Sequence, residues 1–409
     1  FFFALQQPRG MLRIARTALL TGAGCAVAVS VYPDRTAGEV KDGLFTALYK
    51  NVAWPFIRYI PPEDAHDLSV YAAERFLVPF DRVPDSPSLK VSTLGLALSN
   101  PLGLAAGVDH NAQAVKGFEK MGFGFVEVGT VTPQPQHGTA KPRVFRLEAD
   151  KGVINRVGYA NAGAAKVAQK LKELRQGGYK GVVGVNLGMN RGSSPSEDFS
   201  AGIKALGQHA DYLVINAAIL YHPPLPAFRS AKHPSELEKV LKAAASTRKA
   251  ECPSVPLLVK IHPDFPDSEL KAACQAIKAS GVDGIIIAAP SAQRPDNLDS
   301  NDRNTHEFGG LSGAPIKDIA NEALKKVYRH TNGQLPIIGV GGISSGSDAY
   351  KRVRAGASLV QMYTGLAYEG PYVVPRIKWE MEKLAKEDGF GSVQDAVGAD
   401  VVADAKSSG

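Results

Sequence analysis

Leu335-Pro-Ile-Ile-Gly-Val-Gly-Gly-Ile-Ser-Ser-Gly346 decides the reading of this chain. Apolar residues run into Gly341-Gly342, and Ser344, Ser345 and Gly346 follow. A short unbroken apolar run bounded by turn residues is the pattern of a buried parallel strand. The glycines let backbone N–H groups approach an anion, and the helix N-terminus that follows favours negative charge. A second strand-to-glycine turn comes at once, Gly356-Ala-Ser-Leu-Val-Gln-Met-Tyr-Thr-Gly365. One such turn could be no more than a tight corner. Two in succession at the end of an α/β chain match the phosphate site after strands 7 and 8 of a β/α barrel.

Working outward, 409 residues with 44% hydrophobic and 21% charged side chains suit one large barrel with a small N-terminal piece. The net charge of +7 is scattered, with no run of five or six basic residues, so no nucleic-acid surface is expected. Cys25, Cys252 and Cys274 lie far apart without a CxxC pair. That spacing points to a reducing compartment and to neither a disulfide framework nor a zinc site.

Residues 1–16 carry Arg9, Arg13 and Arg16 and no acid, the composition of a mitochondrial targeting segment. Thr17–Pro33 holds no charge. As a helix it would span roughly 25 Å, just short of a bilayer core of about 30 Å. It reads as a retained single anchor or as a cleaved signal, so 1–33 forms the targeting and anchor segment. Within 34–88, Gly43–Ile60 and Glu63–Leu77 are apolar-aromatic helices separated by Pro61-Pro62, with a proline-rich linker at Pro79–Ser88. Such a pair could lie in a membrane interface and frame an opening for an apolar ligand, or pack on the barrel, or both.

The remainder, 89–409, alternates apolar runs with helical patterns. Eight strands are expected: Leu102–Gly107, Phe125–Val131, Val182–Gly188, Tyr212–Ala218, Leu257–His262, Gly284–Pro290, Pro336–Gly342 and Leu359–Gly365. Helices at Ala164–Arg175, Ser235–Thr247, Ser268–Ser280 and Ile316–Thr331 separate some of them. The fold class is α/β, a (β/α)8 TIM barrel. A doubly wound sheet is the alternative, but no GxGxxG follows the first strand. In a barrel the chemistry belongs at the C-terminal strand ends.

Further motifs lie at those ends. Asn100-Pro-Leu-Gly-Leu-Ala-Ala-Gly107, Met121-Gly-Phe-Gly-Phe-Val-Glu-Val-Gly129, Thr132-Pro-Gln-Pro-Gln136 and Pro142-Arg-Val-Phe-Arg-Leu147 come first. Val153-Ile-Asn-Arg156, Gly184-Val-Asn-Leu-Gly188 and Gly309-Gly-Leu-Ser-Gly313 follow. With the two glycine turns they resemble class 2 dihydroorotate dehydrogenase, the quinone-dependent, membrane-associated, FMN-containing mitochondrial enzyme of pyrimidine synthesis. The resemblance runs from about Ala47 to Gly398. It implies FMN over the barrel mouth, a helical pair guiding ubiquinone to the flavin, and attachment to the mitochondrial inner membrane with the barrel facing the intermembrane space. It also implies flavin-binding roles for Ala105, Ala106, Gly107, Gly129, Asn186, Asn216, Lys260, Ser312, Gly313, Gly341, Gly342, Tyr363 and Thr364. Lys260 would sit by flavin N1. His66, Arg146 and Tyr363 match the quinone-tunnel positions.

The chain departs from that pattern where the family holds its substrate. The family's Gly-Phe-Asp-Lys is Gly107-Val-Asp-His110 here. Its Gly-Phe-Asn-Ser is Gly158-Tyr-Ala-Asn161. Its Asn-Val-Ser-Ser-Pro-Asn-Thr, whose second serine is the base, is Asn216-Ala-Ala-Ile-Leu-Tyr-His222. Ile219 therefore occupies the base position and His110 the lysine position. Thr-Asn-Thr after strand 6 becomes Ala288-Ala-Pro290. Isoleucine abstracts no proton, and losing a positioned base costs about 10²–10⁴ in rate. No catalytic residue is retained. The expectation is a catalytically silent relative with a structural or binding role, within a larger inner-membrane assembly of other proteins. The alternative is an FMN-dependent quinone oxidoreductase, either one that still oxidises dihydroorotate by a compensated route or a relative with another substrate. His110, His222 and His262 stand just past strand ends. His110 or His222 could act as a new base, all three could bind a metal, or they could fill space left by the lost contacts; no metal is assigned.

Overall fold

The computed structural model describes residues 47–218, 234–300 and 303–407. Thr17–Pro33, the expected anchor, and Ile219, Tyr221 and His222 lie outside the described residues. Among the described residues no helix is long and apolar enough to cross a membrane.

The described residues form thirteen strands. A hairpin, β1 (Val91–Thr93) and β2 (Leu96–Leu98), precedes the barrel strand β3 (Leu102–Leu104). Next come β4 (Phe125–Val131), then β5 (Val144–Leu147) and β6 (Gly152–Asn155), then β7 (Val182–Leu187), β8 (Tyr212–Asn216), β9 (Leu257–Lys260) and β10 (Gly284–Ile287). The last are β11 (Gly310–Gly313), β12 (Ile337–Val340) and β13 (Leu359–Met362). Eight of them close into a parallel barrel in the order β3-β4-β7-β8-β9-β10-β12-β13, with Val360 paired to Leu102 where the ring closes. The expected (β/α)8 barrel is present, and every expected strand falls on one of these eight.

Burial explains why they are strands. β8, β9, β10, β12 and β13 are buried along their whole length, as strands covered on both faces must be. Inward side chains Phe125, Tyr212, Val214, Leu258, Ile286, Ile338 and Leu359 fill the barrel, and Val91 and Leu98 of the β1–β2 hairpin close its floor. The outward side chains pack on the helices. Several expected strands overrun their observed ends: Leu102–Gly107 stops at Leu104, Gly284–Pro290 at Ile287 and Leu359–Gly365 at Met362. The apolar or small residues beyond those ends line the mouth instead.

The helices are α1 (Trp54–Ile57), α2 (Pro62–Glu74), α3 (Val115–Lys120), α4 (Ala164–Gln176), α5 (Pro195–Leu206) and α6 (Pro234–Glu251). They continue with α7 (Asp267–Ser280), α8 (Lys317–Thr331), α9 (Gly346–Arg354), α10 (Thr364–Glu369), α11 (Val373–Glu387) and α12 (Ala399–Ser407). The expected helix at Gly43–Ile60 is interrupted: a π-helical turn at Tyr49–Ala53 runs into α1. α2 follows Pro61 and packs on α3. A Cβ on Gly117 of α3 would sit 1.9 Å from the Ala73 carbonyl, so only glycine permits this approach. β5, β6 and β11 form an antiparallel sheet at the mouth, which the sequence reading did not place. The Arg146 guanidinium on β5 donates to the carbonyls of Arg58 (3.0 Å) and Ile60 (2.8 Å), and Arg143 pairs with Glu63 at 3.0 Å. The helical pair is thereby tied to the barrel. It also leaves Phe56 and Tyr59 exposed, at 72% and 80%.

Candidate functional site

The barrel rim opens into a cavity of about 980 Å³ that runs from the mouth to the space between the helical pair and the barrel. Ala105, Ala106, Gly107, Asn216, Lys260, Ser312, Gly313, Gly341, Gly342, Tyr363 and Thr364 all line it, as do His66, Arg146 and His110. These residues come from all along the chain, and the strand ends bring them together.

Gly129 and Asn186 stand behind the wall. The Gly129 carbonyl accepts from Gly107 N–H at 2.8 Å. Asn186 Nδ2 donates to Glu127 at 2.9 Å, and its Oδ1 accepts from Thr130 (2.7 Å) and Asn216 (3.0 Å).

At one end of the cavity the donors are main chain. Gly341 and Gly342 adopt φ of +104° and +72°, conformations that strain any other residue. Among the described residues the amides of Gly342, Tyr363 and Thr364 have no hydrogen-bond partner. The next turn behaves differently from the sequence reading, in which Ser344–Gly346 supplied donors as well. Ser344 N–H donates to Asp348 at 3.0 Å and Gly346 N–H to Glu380, so both are already engaged. Ser345 caps α9 by accepting from Asp348 N–H. The unengaged donors are therefore Gly342 and the turn after β13.

At the other end the donor is a cation. Lys260 is 6% exposed and, among the described residues, its ammonium makes no hydrogen bond or ion pair. Burial pulls its ammonium below the usual lysine range, and the charge of Glu127 opposes that. A buried, unbonded ammonium beside a cavity is a place for an acceptor atom.

Above Lys260 the wall is apolar or neutral: Tyr159, Ala160, Ala288, Ala289 and Pro290 with His110. Burial, the charges of His66 and Arg143, and a bond to the Gly107 backbone together leave His110 pushed down to about 3, so it is neutral at pH 7. His66 lies beside it, ring centres 5.5 Å apart, also shifted down by burial against Asp67 and Glu63. The sequence reading allowed three histidines to converge here. The structure places one of them elsewhere: His262 stacks on Phe265 at 4.2 Å, accepts from Asp264 N–H, and does not line the cavity. Among the described residues no three His, Cys, Asp or Glu side chains are grouped to hold a metal.

Sequence reasoning missed Glu127, Thr130 and Tyr212. Glu127 accepts from Tyr212 (3.0 Å) and Gln361 (2.7 Å) as well as Asn186. The available signal was a single charge inside the apolar run Phe125-Val-Glu-Val-Gly129.

Comparison with known proteins agrees with this geometry. The family model "Dihydroorotate dehydrogenase" matches residues 88–385. The chain is 44% identical over 352 residues to "Dihydroorotate dehydrogenase (quinone)" of Azorhizobium caulinodans, covering 85% of this chain and 98% of that one. It is 42% identical over 408 residues to "Dihydroorotate dehydrogenase (quinone), mitochondrial" of Oryza sativa subsp. japonica, covering 93% and 87%. The mouse protein of the same description is 43% identical over 351 residues, covering 84% and 88%. A crystal structure of DHODH from Eimeria tenella in complex with ferulenol superposes with a TM-score of 0.79 at 40% identity, covering 84% of this chain and 96% of that one. The fold, the cavity and these relatives together place the chain in the quinone-dependent dihydroorotate dehydrogenase family.

Proposed function

We propose that this chain is a divergent member of the family that binds a flavin in a preserved cavity but does not oxidise dihydroorotate. Its role is as a binding or structural component at the mitochondrial inner membrane, within a larger assembly. The observation that carries the reading is the wall above Lys260. Among the cavity-lining residues His110, Ala160, Ala288, Ala289 and Pro290, only His110 can take a proton, and a base pushed down to about 3 is weak at pH 7. Ile219 stands where the resemblance puts the base, and Ala160 and Ala289 stand where it puts substrate amides.

The residues present fit FMN. The free amides of Gly342, Tyr363 and Thr364 would hold its phosphate, and Lys260 with Asn216 would face its ring. Bound there, FMN would supply hydride and single-electron transfer. His66, Arg146 and Tyr363 line the part of the cavity toward the helical pair, where a quinone head would enter. The mitochondrial relatives in rice and mouse support that compartment. Thr17–Pro33 is the proposed anchor, with the barrel in the intermembrane space. Exposed Val52, Phe56 and Tyr59 would meet the membrane interface. The domain division 1–33, 34–88 and 89–409 belongs to this proposal.

The test is complementation of a pyrimidine auxotroph, with a dihydroorotate:quinone assay on purified protein. No growth and no turnover are expected. Growth would overturn the reading.

A second reading, an FMN-dependent quinone oxidoreductase acting on another donor, is favoured by His110 and His66 standing ring to ring inside the cavity. It requires a yellow protein that reduces a quinone with some donor other than dihydroorotate.

A further inference from the structure

Beneath the cavity lies a polar layer that the site residues do not explain. Glu127, on β4, is fully buried at 0% exposure. Its Oε1 accepts from Asn186, and its Oε2 accepts from Tyr212 and from Gln361. Because a carboxylate only accepts, Asn186 must turn its amide nitrogen down toward Glu127 and its oxygen up. That oxygen then accepts from Thr130 Oγ1 and from Asn216 Nδ2, and Asn216 Nδ2 also donates to Thr130 at 3.1 Å. Asn216 Oδ1 accepts from Ala218 N–H at 3.1 Å. The ladder runs from the barrel interior to the cavity wall and, among the described residues, leaves one of its acceptors, Gln361 Oε1, buried without a partner.

Lys260, on β9, is outside that ladder. It lines the cavity, is 6% exposed and, among the described residues, its ammonium has no hydrogen bond or ion pair. An unpaired buried ammonium is costly unless a charge of opposite sign compensates it. Lys260 pairs in register with Asn216 at the upper end of the ladder, Glu127 stands at its lower end, and that carboxylate is the charge that acts on the lysine. β3, β7, β10, β12 and β13 contribute no titratable side chain. Tyr212 on β8 is the other titratable group facing Glu127, and burial together with that carboxylate holds it well above the usual range, hence neutral.

We propose that Glu127 is the counter-charge of Lys260, held off by its own ladder so that the ammonium's three N–H bonds stay free for an acceptor atom of the bound ring. Glu127 is thus a positioning residue: it acts on the ligand only through Lys260. The carboxylate is occupied by three neutral donors, which keeps it from collapsing onto the lysine. The lysine keeps its charge because the carboxylate is near, and its reach because the carboxylate is engaged.

The inference rests on the flavin reading, so the experiment separates the two. FMN is titrated into flavin-free wild-type protein and into Glu127→Gln at about pH 6 and about pH 9, with quenching of flavin fluorescence as the signal. Wild type should bind about equally at both values. Glu127→Gln should bind near wild type at the lower pH and about tenfold more weakly at the higher, because the lysine now loses its proton within that window. Wild type that binds no FMN at either pH defeats the flavin reading. Wild type that binds, beside a Glu127→Gln with the same flat profile, defeats the counter-charge. A second measurement needs no flavin and covers a variant that folds poorly. If the two groups compensate each other, Glu127→Gln/Lys260→Met should be more thermally stable than the sum of the two single losses predicts. Additive losses in that cycle, or a double variant that folds no better than Glu127→Gln, would overturn the proposal.

Discussion

Tyr363 Oη lies 3.3 Å from His66 Nδ1, so the turn after β13 and helix α2 meet across the cavity. The contact joins the barrel to an element nearly three hundred residues earlier in the chain. Removing the hydroxyl by Tyr363→Phe forfeits one neutral hydrogen bond, about 1 kcal/mol. A short-chain ubiquinone analogue should bind roughly fivefold more weakly, with the melting temperature nearly unchanged. His66→Ala added to Tyr363→Phe should cost little more. Fully additive losses in affinity would show that the two residues do not act on the ligand as a pair.

His110 sets a pH dependence with a definite sign. The unfolded chain takes up a proton at this residue near pH 6.5. The folded chain does so only at about 3. Between those values the unfolded state binds more protons, so stability falls as pH falls through the window and rises as pH rises. His66, also shifted down by burial, adds in the same direction. His110→Gln should flatten the slope by as much as one proton. Urea unfolding midpoints at about pH 7 and about pH 4.5 measure it, and a slope equal to wild type would show that His110 is not held neutral.

Lys378 of α11 bridges two carboxylates of the linker, Asp81 at 2.7 Å and Asp85 at 2.6 Å, with side-chain exposures of 7%, 3% and 13%. Burial pushes Asp85 up, but Lys378 and the bonds from Ser99 and Asn100 outweigh it and hold Asp85 below its usual range. Lys378→Met leaves both acids without their cation, a loss of about 3–5 kcal/mol. Thermal unfolding should show it as a drop of many degrees. Asp81→Asn/Asp85→Asn in the same background should recover part of the loss, and no recovery would count against the clamp.

Gly342 has φ of +72°, and a Cβ there would lie 2.7 Å from Lys317 Cα. Gly342→Ala should destabilise by about 1–3 kcal/mol through backbone strain and this clash. It should also weaken FMN binding more than Gly178→Ala does. Gly178 has a similar φ of +77° with open space around it and lies away from the cavity. Equal effects of the two substitutions on FMN affinity would remove the glycine pair from the phosphate site.

The barrel was legible because strands buried on both faces are written as apolar runs, and every expected strand lies on one of the eight. Their ends were not legible. Ala288, Ala289 and Pro290 continue the apolar run of β10, and the regular register stops at Ile287 although Ala288 N–H still donates to Val340 and Ala289 N–H to Ile261. The mouth sheet escaped notice because β5, β6 and β11 are four residues each, and β11 joins its partner across more than 150 residues. His262 looked like a mouth residue from its place one step past β9's apolar run. Its direction depends on Phe265 and Asp264, which spacing does not reveal. Glu127 carried a signal, one charge inside an apolar run, whereas Lys378 sits in an ordinary-looking amphipathic stretch; for both, only the fold shows what surrounds the charge.

The amides of Gly342, Tyr363 and Thr364 belong to the peptide backbone, whereas the groups above Lys260 are side chains. The two ends of the cavity therefore differ in how mutation can erode them. A side-chain contact is deleted by one codon change, and Ala160 and Ala289 offer the cavity no more than a methyl group. A backbone donor survives every substitution that leaves φ and ψ alone, and the glycines that set those angles are also needed for β12 and α8 to pack. Folding selection thus guards one half of the site even where selection on chemistry has lapsed. In such a lineage reactivity is the first property to go, and the capacity to hold a phosphorylated ring is among the last.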